Sequence, residues 1–309
     1  MDNGEVKQQL QGVPFTTATP FSIDREEVLH DELADNLQTL ERAGAQIFIP
    51  CGNTGEYYSL SHNERVEVVA THVEATSEKS TIIGGAGGST KTATKLIDQY
   101  EQIGADAAMI MYPRHTYIHE QGLIDYYTTL AENTDLGLVL YKRGPTVSDK
   151  VLAEVSKLDN VVAIKYAVND IKNFSQTVSD TPKDLVWLNG IAERYAPAFA
   201  LEGAQGYTTG IGNFVPKAVL ELSNAIEKKD WERARTIRDI LRPYENLREE
   251  TGTNNSLKNA NNVPAVKYGM ELAGQYGGPV REPLVELSSE DKKRTEKYYN
   301  QIQEAAVTN

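Results

Sequence analysis

The amino-acid sequence predicts an α/β fold, a TIM (β/α)8 barrel followed by a helical extension at the C-terminus. Two observations predict it: short apolar runs alternate with longer segments of helical period, and eight such pairs fall within roughly the first 230 residues. A barrel of this kind usually takes about 250 residues. The eight predicted strands are Val13–Thr17, Ala45–Cys51, Thr81–Gly85, Ala105–Met111, Gly137–Tyr141, Val161–Lys165, Leu185–Asn189 and Gln205–Thr209.

Several of the intervening helices carry start and stop signals. Ser61 and Glu64 have the spacing of a capping box, and Ser89 precedes a helical pattern. Gly44 and Gly104 each stand just before a strand-like run, where glycine commonly ends a helix. These signals place helices between the strands, as a βαβ arrangement requires.

The alternative fold is a doubly wound open sheet. It is disfavoured because no Gly-x-Gly-x-x-Gly turn follows the first predicted strand. The glycine-rich segment Gly84–Gly88 follows the third strand but lacks that spacing. We interpret it as a tight loop between a strand and a helix.

The chain changes character after about Pro216, because no convincing strand follows. We predict a barrel catalytic domain at residues 1–229 and a C-terminal helical extension, packed on the barrel, at residues 230–309. The predicted late helices are Ala218–Lys228, Trp231–Arg248, Val263–Leu272 and Ser289–Ala305.

Composition excludes several classes of function. Lys and Arg number 31 against 44 Asp and Glu, and the net charge of −13 disfavours nucleic acid as a partner. The hydrophobic fraction is 40% without an apolar run of membrane-spanning length, so we expect a soluble protein with no membrane partner. The first residues lack the apolar core of a secretion signal, which predicts a cytoplasmic location. The single cysteine, Cys51, excludes an internal disulfide and is expected to be a small buried residue.

The active site of a barrel lies at the C-terminal ends of its strands. Lys165 closes the sixth run, which is apolar enough to be buried. Burial lowers the pKa of a lysine, and a neutral amine attacks a ketone to form a Schiff base. The alternative is that Lys165 pairs with a neighbouring carboxylate at the mouth of the barrel.

The turn after the second strand reads Gly52-Asn53-Thr54-Gly55. It offers consecutive backbone N–H groups without bulky side chains, which is one way to hold a carboxylate or phosphate. The alternative is an ordinary turn between a strand and a helix. We predict that these four residues bind substrate.

Other strand ends supply further candidates. Tyr141 closes the fifth strand, where a phenol can carry protons, although such tyrosines often only pack. Arg143 is a candidate for a distal carboxylate, with surface pairing as the alternative. Gly190 after the seventh strand would let a ligand approach the backbone or simply form a turn. The five histidines lack metal-site spacing, so we predict no catalytic metal.

Together these residues resemble the dihydrodipicolinate synthase and N-acetylneuraminate lyase superfamily of class I, lysine-dependent aldolases, over nearly the whole chain. The resemblance rests on Gly52–Glu56, Tyr141 and Ile164–Lys165, in the expected order. It implies a covalent imine on Lys165 without any separate cofactor. It also implies a small 2-keto acid as substrate and a homo-oligomer, either a tetramer or a dimer.

Within the superfamily, the synthase pattern is broken. Asn53 stands where the synthase turn has its first threonine, which removes a hydroxyl that relays protons. The chain more closely resembles 5-dehydro-4-deoxyglucarate dehydratase and 2-keto-3-deoxyarabonate dehydratase. Two departures from these are Lys142, in place of asparagine, and Tyr166, in place of aspartate. The matching segments are Tyr141–Arg143, Asn169–Ile171, Asn213–Pro216 and Gly278–Leu284.

The resemblance implies a lyase that dehydrates a 2-keto-3-deoxy sugar acid to a 2,5-dioxo acid such as 2,5-dioxopentanoate, with decarboxylation if a second carboxylate is present. Thr208 and Thr209 resemble a hydroxyl-bearing pair that contacts substrate. The alternative is a retro-aldol reaction that releases pyruvate. Dihydrodipicolinate synthesis and a non-catalytic keto-acid binder are the remaining alternatives.

Overall fold

The structure is a computed structural model and describes residues 1–144, 146–181 and 184–307. The last two residues of the predicted extension, 308 and 309, lie outside the described residues. Among those described, eight parallel strands form one sheet in the order of the chain. They are β1 Phe15–Thr16, β2 Ile47–Ile49, β3 Thr81–Ala86, β4 Ala107–Ile110, β5 Gly137–Lys142, β6 Val161–Tyr166, β7 Val186–Asn189 and β8 Gly206–Tyr207.

The sheet closes on itself through the segments around β8 and β1. The backbone amide of Thr16 donates to the carbonyl of Thr209 (3.0 Å), and the amide of Thr209 donates to the carbonyl of Pro14 (3.0 Å). Two residues earlier on both segments, the amide of Tyr207 donates to the carbonyl of Gly12 (3.2 Å). The predicted barrel fold is confirmed: each predicted run contains a strand, and β3, β5 and β6 extend one residue beyond their runs.

Helices alternate with the strands and continue beyond the last one. Ser61 and Glu64 form the expected capping box, and the Ser89 hydroxyl accepts from the backbone of Thr92. Gly104 ends its helix with φ +89°. The helices are α1 Asn3–Gln9, α2 His30–Arg42, α3 His62–Ala75, α4 Thr90–Ile103, α5 Glu120–Glu132, α6 Asp149–Val155, α7 Ile171–Asp180, α8 Ala196–Leu201, α9 Pro216–Glu227, α10 Trp231–Arg248, α11 Asn262–Leu272 and α12 Ser289–Val307.

The glycine-rich segment after β3 differs from the prediction. Gly84 and Gly85 lie inside the strand, so the interpretation of the whole segment as a loop is wrong for them. A Cβ atom on Gly85 would lie 2.1 Å from the carbonyl oxygen of Cys51. Glycine is therefore required because β3 passes very close to the backbone of the turn after β2.

The N-terminal helix α1 was not predicted. The Asp2 carboxylate caps it, and the backbone amide of Asp2 in turn donates to the Glu5 carboxylate. Val6 and Leu10 are fully buried, and the helix packs near β6. The signal for it is the Asp2–Glu5 spacing, a capping box that uses aspartate.

The C-terminal extension consists of α10, α11 and α12, which pack on one another. The helices α9 and α10 leave only three residues between them, at the place where the sequence predicts the domain boundary. Within the described ranges, no helix combines the length and the apolar character needed to cross a membrane.

Candidate active site

A cavity of about 390 Å³ opens at the C-terminal ends of the strands. Its size falls within the range of small-molecule sites. Two of the predicted substrate residues, Gly52 and Gly55, are not part of its wall. The predicted residues that line it are Asn53, Thr54, Tyr141, Arg143, Lys165, Gly190, Thr208 and Thr209.

Lys165 is the buried lysine that lines this cavity. Its side chain is 4% exposed, and no described carboxylate lies within ion-pair distance of its Nζ. Removal from water, and then the positive charge of Arg143, lower the pKa of Lys165 from 10.5 to about 7. The structural alternative, an ion pair at the mouth of the barrel, therefore does not hold for the described residues. About half of the amine is neutral at pH 7 and available as a nucleophile.

Tyr141 lies beside this lysine because the two residues are register partners on β5 and β6. The Lys165 Nζ is 4.6 Å from the centre of the Tyr141 ring. The Asn53 Nδ2 atom donates to the Tyr141 hydroxyl oxygen (3.0 Å). Burial raises the pKa of the Tyr141 phenol, which keeps it protonated at neutral pH. A neutral phenol next to the amine can give a proton to a leaving oxygen.

The turn after β2 contributes backbone groups and one side chain. Asn53 and Thr54 line the cavity, and within the described part of the chain their backbone amides donate no hydrogen bond. Gly52 and Gly55 serve packing instead. A Cβ atom on Gly52 would lie 2.5 Å from the Thr16 side chain, and one on Gly55 would lie 2.7 Å from the Thr17 carbonyl oxygen. A direct contact of these two glycines with substrate stays a prediction.

The C-terminal ends of β7 and β8 supply space and hydroxyl groups. A Cβ atom on Gly190 would lie 3.0 Å from the Lys165 Cγ atom, so glycine leaves room for the reactive side chain. Thr208 and Thr209 are buried at the cavity wall. The Thr209 hydroxyl accepts from the amide of Gly212 (2.8 Å), which fixes its orientation. Contact of these two hydroxyls with a ligand stays a prediction.

The extension completes the cavity, and sequence reasoning missed this. Glu245, Arg248, Glu249, Asn259 and Asn262 all line it. In the sequence, Glu249 is simply one of two consecutive acidic residues, and Glu245 with Arg248 has the spacing of an ordinary surface ion pair. Only the folded chain shows that this end of α10 covers the barrel mouth.

The segment Gly278–Leu284, one of those that resemble the dehydratases, is not part of the cavity wall. The Lys267 Nζ pairs with the Glu56 carboxylate at 2.6 Å, and both side chains are buried. The amide of Arg281 donates to the other Glu56 oxygen (3.0 Å). The Lys267 Nζ also donates to the carbonyl of Pro279 (2.6 Å). These bonds tie the turn that carries Asn53 to the extension.

Cys51 is free and fully buried, as predicted. Burial raises the pKa of its thiol to about 12, so it is not a nucleophile at neutral pH. In residues 1–144, 146–181 and 184–307 no three His, Cys, Asp or Glu side chains are grouped to hold a metal ion. A metal-free reaction stays a prediction.

Comparison with known proteins agrees with this geometry. The dihydrodipicolinate synthetase family matches residues 9–302. The chain belongs to this family. Family membership makes the protein an enzyme of the lyase class.

The relatives of this family member carry two kinds of name. A 4-hydroxy-tetrahydrodipicolinate synthase from Methanopyrus kandleri is 30% identical over 92% of this chain and 94% of its own length. A probable 5-dehydro-4-deoxyglucarate dehydratase from Acinetobacter baumannii is 30% identical over 84% of both chains. The crystal structure of dihydrodipicolinate synthase from Oceanobacillus iheyensis is 32% identical, covers all of both chains and gives a TM-score of 0.92.

Proposed function

We propose that this family member is a lysine Schiff-base lyase that dehydrates a 2-keto-3-deoxy sugar acid to a 2,5-dioxo acid such as 2,5-dioxopentanoate. The observation that carries the proposal is Lys165, a buried lysine with a pKa of about 7 and no carboxylate partner among the described residues. A purely structural lysine has no need of this environment. Imine formation requires it.

The first step is capture of the substrate and formation of the imine. The C1 carboxylate accepts hydrogen bonds from the free amides of Asn53 and Thr54, next to the cation of Arg143. The neutral Lys165 amine attacks the C2 ketone, and the C2 oxygen leaves as water. Tyr141 supplies a proton to that oxygen from the position beside Nζ. The imine on Lys165 replaces any dissociable cofactor.

The second step is loss of the C4 hydroxyl. The protonated imine acidifies C3, whose proton is removed, and the enamine expels the C4 hydroxyl as water. Movement of a C5 proton then turns the hydroxyl-bearing C5 into an aldehyde carbon, and hydrolysis releases the product and Lys165. Thr208 and Thr209 hold substrate hydroxyls during these steps. A substrate with a second carboxylate can also lose carbon dioxide.

Asn53 favours this reaction over dihydrodipicolinate synthesis. Its amide nitrogen donates to the Tyr141 oxygen (3.0 Å), so the phenol proton points elsewhere. An amide donates and accepts hydrogen bonds but does not pass a proton on, whereas a hydroxyl does. The proton path through a threonine at this place is therefore interrupted.

Borohydride reduction in the presence of pyruvate tests the Schiff base. We expect a covalent mass adduct on Lys165, and none in Lys165→Ala. A wild-type protein that forms no adduct, or an adduct that persists in the variant, refutes the imine.

A panel of 2-keto-3-deoxy acids tests the outcome of the reaction. We expect a dioxo acid and water. Stoichiometric pyruvate without a dioxo acid would instead establish the retro-aldol alternative. The proposal also includes a cytoplasmic homo-oligomer, a tetramer or a dimer, which light scattering of the purified protein tests.

A further inference from the structure

The wall that the extension adds to the cavity contains an ion pair on α10. Glu245 and Arg248 lie one helical turn apart, and both side chains are about 6% exposed. The Arg248 Nη1 atom donates to the Glu245 Oε1 atom at 2.5 Å. This pair lines the cavity that holds Lys165.

Arg248 is held rigidly in this wall. Its Nη2 atom donates to the Asn262 Oδ1 atom (2.9 Å), and its Nε atom donates to the Asn262 carbonyl oxygen (3.4 Å). A Cβ atom on Gly210 would lie 2.5 Å from Nη2, so the guanidinium lies flat against the backbone of that glycine. A guanidinium fixed in this way is a preorganised binding group.

The charges of this wall cancel. Glu245 balances Arg248, and Glu249 is paired with Arg194. Behind them, burial and then the negative charge of Glu245 raise the pKa of the Glu193 carboxyl, which disfavours a further negative charge there. Among the described residues, the wall has no spare cation for a second carboxylate of the substrate.

Arg143, the remaining arginine among the described residues of the cavity wall, is assigned to the C1 end of the substrate. Arg143 is close enough to Lys165 for its charge to lower the lysine pKa. The proposed function assigns it to the C1 carboxylate on the imine carbon, rather than to the distal carboxylate that its place in the sequence suggested. The carbons beyond C3 must extend to another part of the cavity, and α10 provides a polar wall for them.

Neutral hydroxyl groups fit this wall. A guanidinium has five N–H groups, of which three are used by Glu245 and Asn262, so two remain on Arg248. The Glu245 Oε2 atom accepts no hydrogen bond from the described residues. Since a hydroxyl both donates and accepts, two neighbouring hydroxyls can bond to the guanidinium and the carboxylate together.

We propose that Glu245 and Arg248 form a subsite that recognises distal hydroxyl groups, and that it selects a sugar acid with one carboxylate over a dicarboxylate. This inference rests on the proposed Schiff-base function, because the imine at Lys165 fixes where the distal carbons lie. It identifies the substrate as a monocarboxylate, for which dehydration proceeds without loss of carbon dioxide.

Three five-carbon keto acids that differ only at the distal end test the subsite. They are 2-keto-3-deoxypentonate with hydroxyls, 2-oxopentanoate with an alkyl end and 2-oxoglutarate with a carboxylate. The measurement is the concentration of each acid that gives half-maximal borohydride-trapped adduct on Lys165 at short reaction times. Each value is divided by the same protein's value for pyruvate, which has no distal carbons.

In the wild type we expect the hydroxylated acid to bind at least tenfold more tightly than 2-oxopentanoate, and 2-oxoglutarate to bind most weakly. Glu245→Gln leaves the shape but removes the charge that balances Arg248. This change should weaken binding of the hydroxylated acid at least fivefold and strengthen binding of 2-oxoglutarate at least fivefold. Asp239→Asn, on the exposed side of the same helix, is the matched control and should change neither ratio.

Asn262→Asp provides a second test should Glu245→Gln not fold, which thermal unfolding reports. This substitution adds a negative charge beside Arg248 and should weaken binding of 2-oxoglutarate below that of the wild type. The subsite is overturned if the wild type binds 2-oxoglutarate as tightly as the hydroxylated acid. It is also overturned if a folded variant gives the same pyruvate-normalised concentrations as the wild type. Failure of the proposed function looks different, because pyruvate itself then gives no adduct.

Discussion

Lys142 and Tyr166 are register partners on β5 and β6, one residue beyond the partners Tyr141 and Lys165. The Lys142 Nζ lies 5.1 Å from the centre of the Tyr166 ring and pairs with Asp149 of α6. Asn173 of α7 donates to both the Asp149 carboxylate (2.7 Å) and the Tyr166 hydroxyl (2.9 Å).

Lys142 and Tyr166 are also two of the positions where the chain departs from the dehydratase pattern that it resembles. Their contact predicts that the two residues compensate for each other's presence in this chain. A lysine on β5 needs a polar and aromatic partner on β6, and both side chains point to the helices, away from the cavity. The departures therefore do not alter the wall around Lys165.

A double-mutant cycle tests this relationship. Lys142→Met should destabilise the protein by about 1.5–3 kcal/mol, because it removes a charged hydrogen bond and leaves Asp149 without its cation. Combined with Tyr166→Phe, the two changes should show a coupling free energy of about 0.5–3 kcal/mol in urea unfolding. Additive effects would contradict the proposed compensation.

The rate of imine formation should depend on pH through Lys165. With a pKa of about 7, the amine is mostly protonated at pH 6 and mostly neutral at pH 8. We expect the trapping rate with pyruvate to rise with pH and reach a plateau above about pH 8. A rate that still rises steeply beyond pH 9 would show a lysine with its ordinary pKa.

Arg143→Gln should move this pH profile to higher values. Burial is the larger cause of the lowered Lys165 pKa and remains in the variant, so the shift is partial. The same pyruvate-trapping rates, measured from pH 5 to 10, give the apparent pKa. Arg114→Gln removes a cation at the neighbouring strand end and is the control. An unchanged or lower apparent pKa in Arg143→Gln would count against the electrostatic contact.

Tyr141→Phe should slow imine formation by about 10²–10⁴, the usual contribution of a positioned proton donor. Binding of pyruvate before the reaction should change much less. Tyr126→Phe is a matched control, because that hydroxyl lines a separate cavity. Single-turnover trapping distinguishes the two, and equal rates in both variants would remove Tyr141 from the reaction.

Lys267→Met should destabilise the protein by about 3–5 kcal/mol, because it leaves the Glu56 carboxylate buried without its cation. The exposed Lys217 on α9 offers the control substitution Lys217→Met, for which we expect almost no change. Denaturant unfolding measures both. A small loss in Lys267→Met would mean that Glu56 becomes neutral at little cost.

The sequence by itself determined the barrel and where its candidate reactive lysine lies. Each strand is a short apolar run between helices, so its existence is encoded locally, and Lys165 and Tyr141 follow from their places at the ends of such runs. The capping signals at Ser61 and Ser89 are equally local. Alternation of elements then leaves few ways to close the sheet.

The tertiary structure alone decided what surrounds Lys165. Glu245 and Arg248 have the spacing of a surface pair, and nothing near them in the sequence places them beside a strand end about 80 residues earlier. Gly52 and Gly85 are fixed by atoms of distant segments. The physical reason is that periodicity records which face of an element is apolar, whereas contacts between elements arise only when the whole core packs.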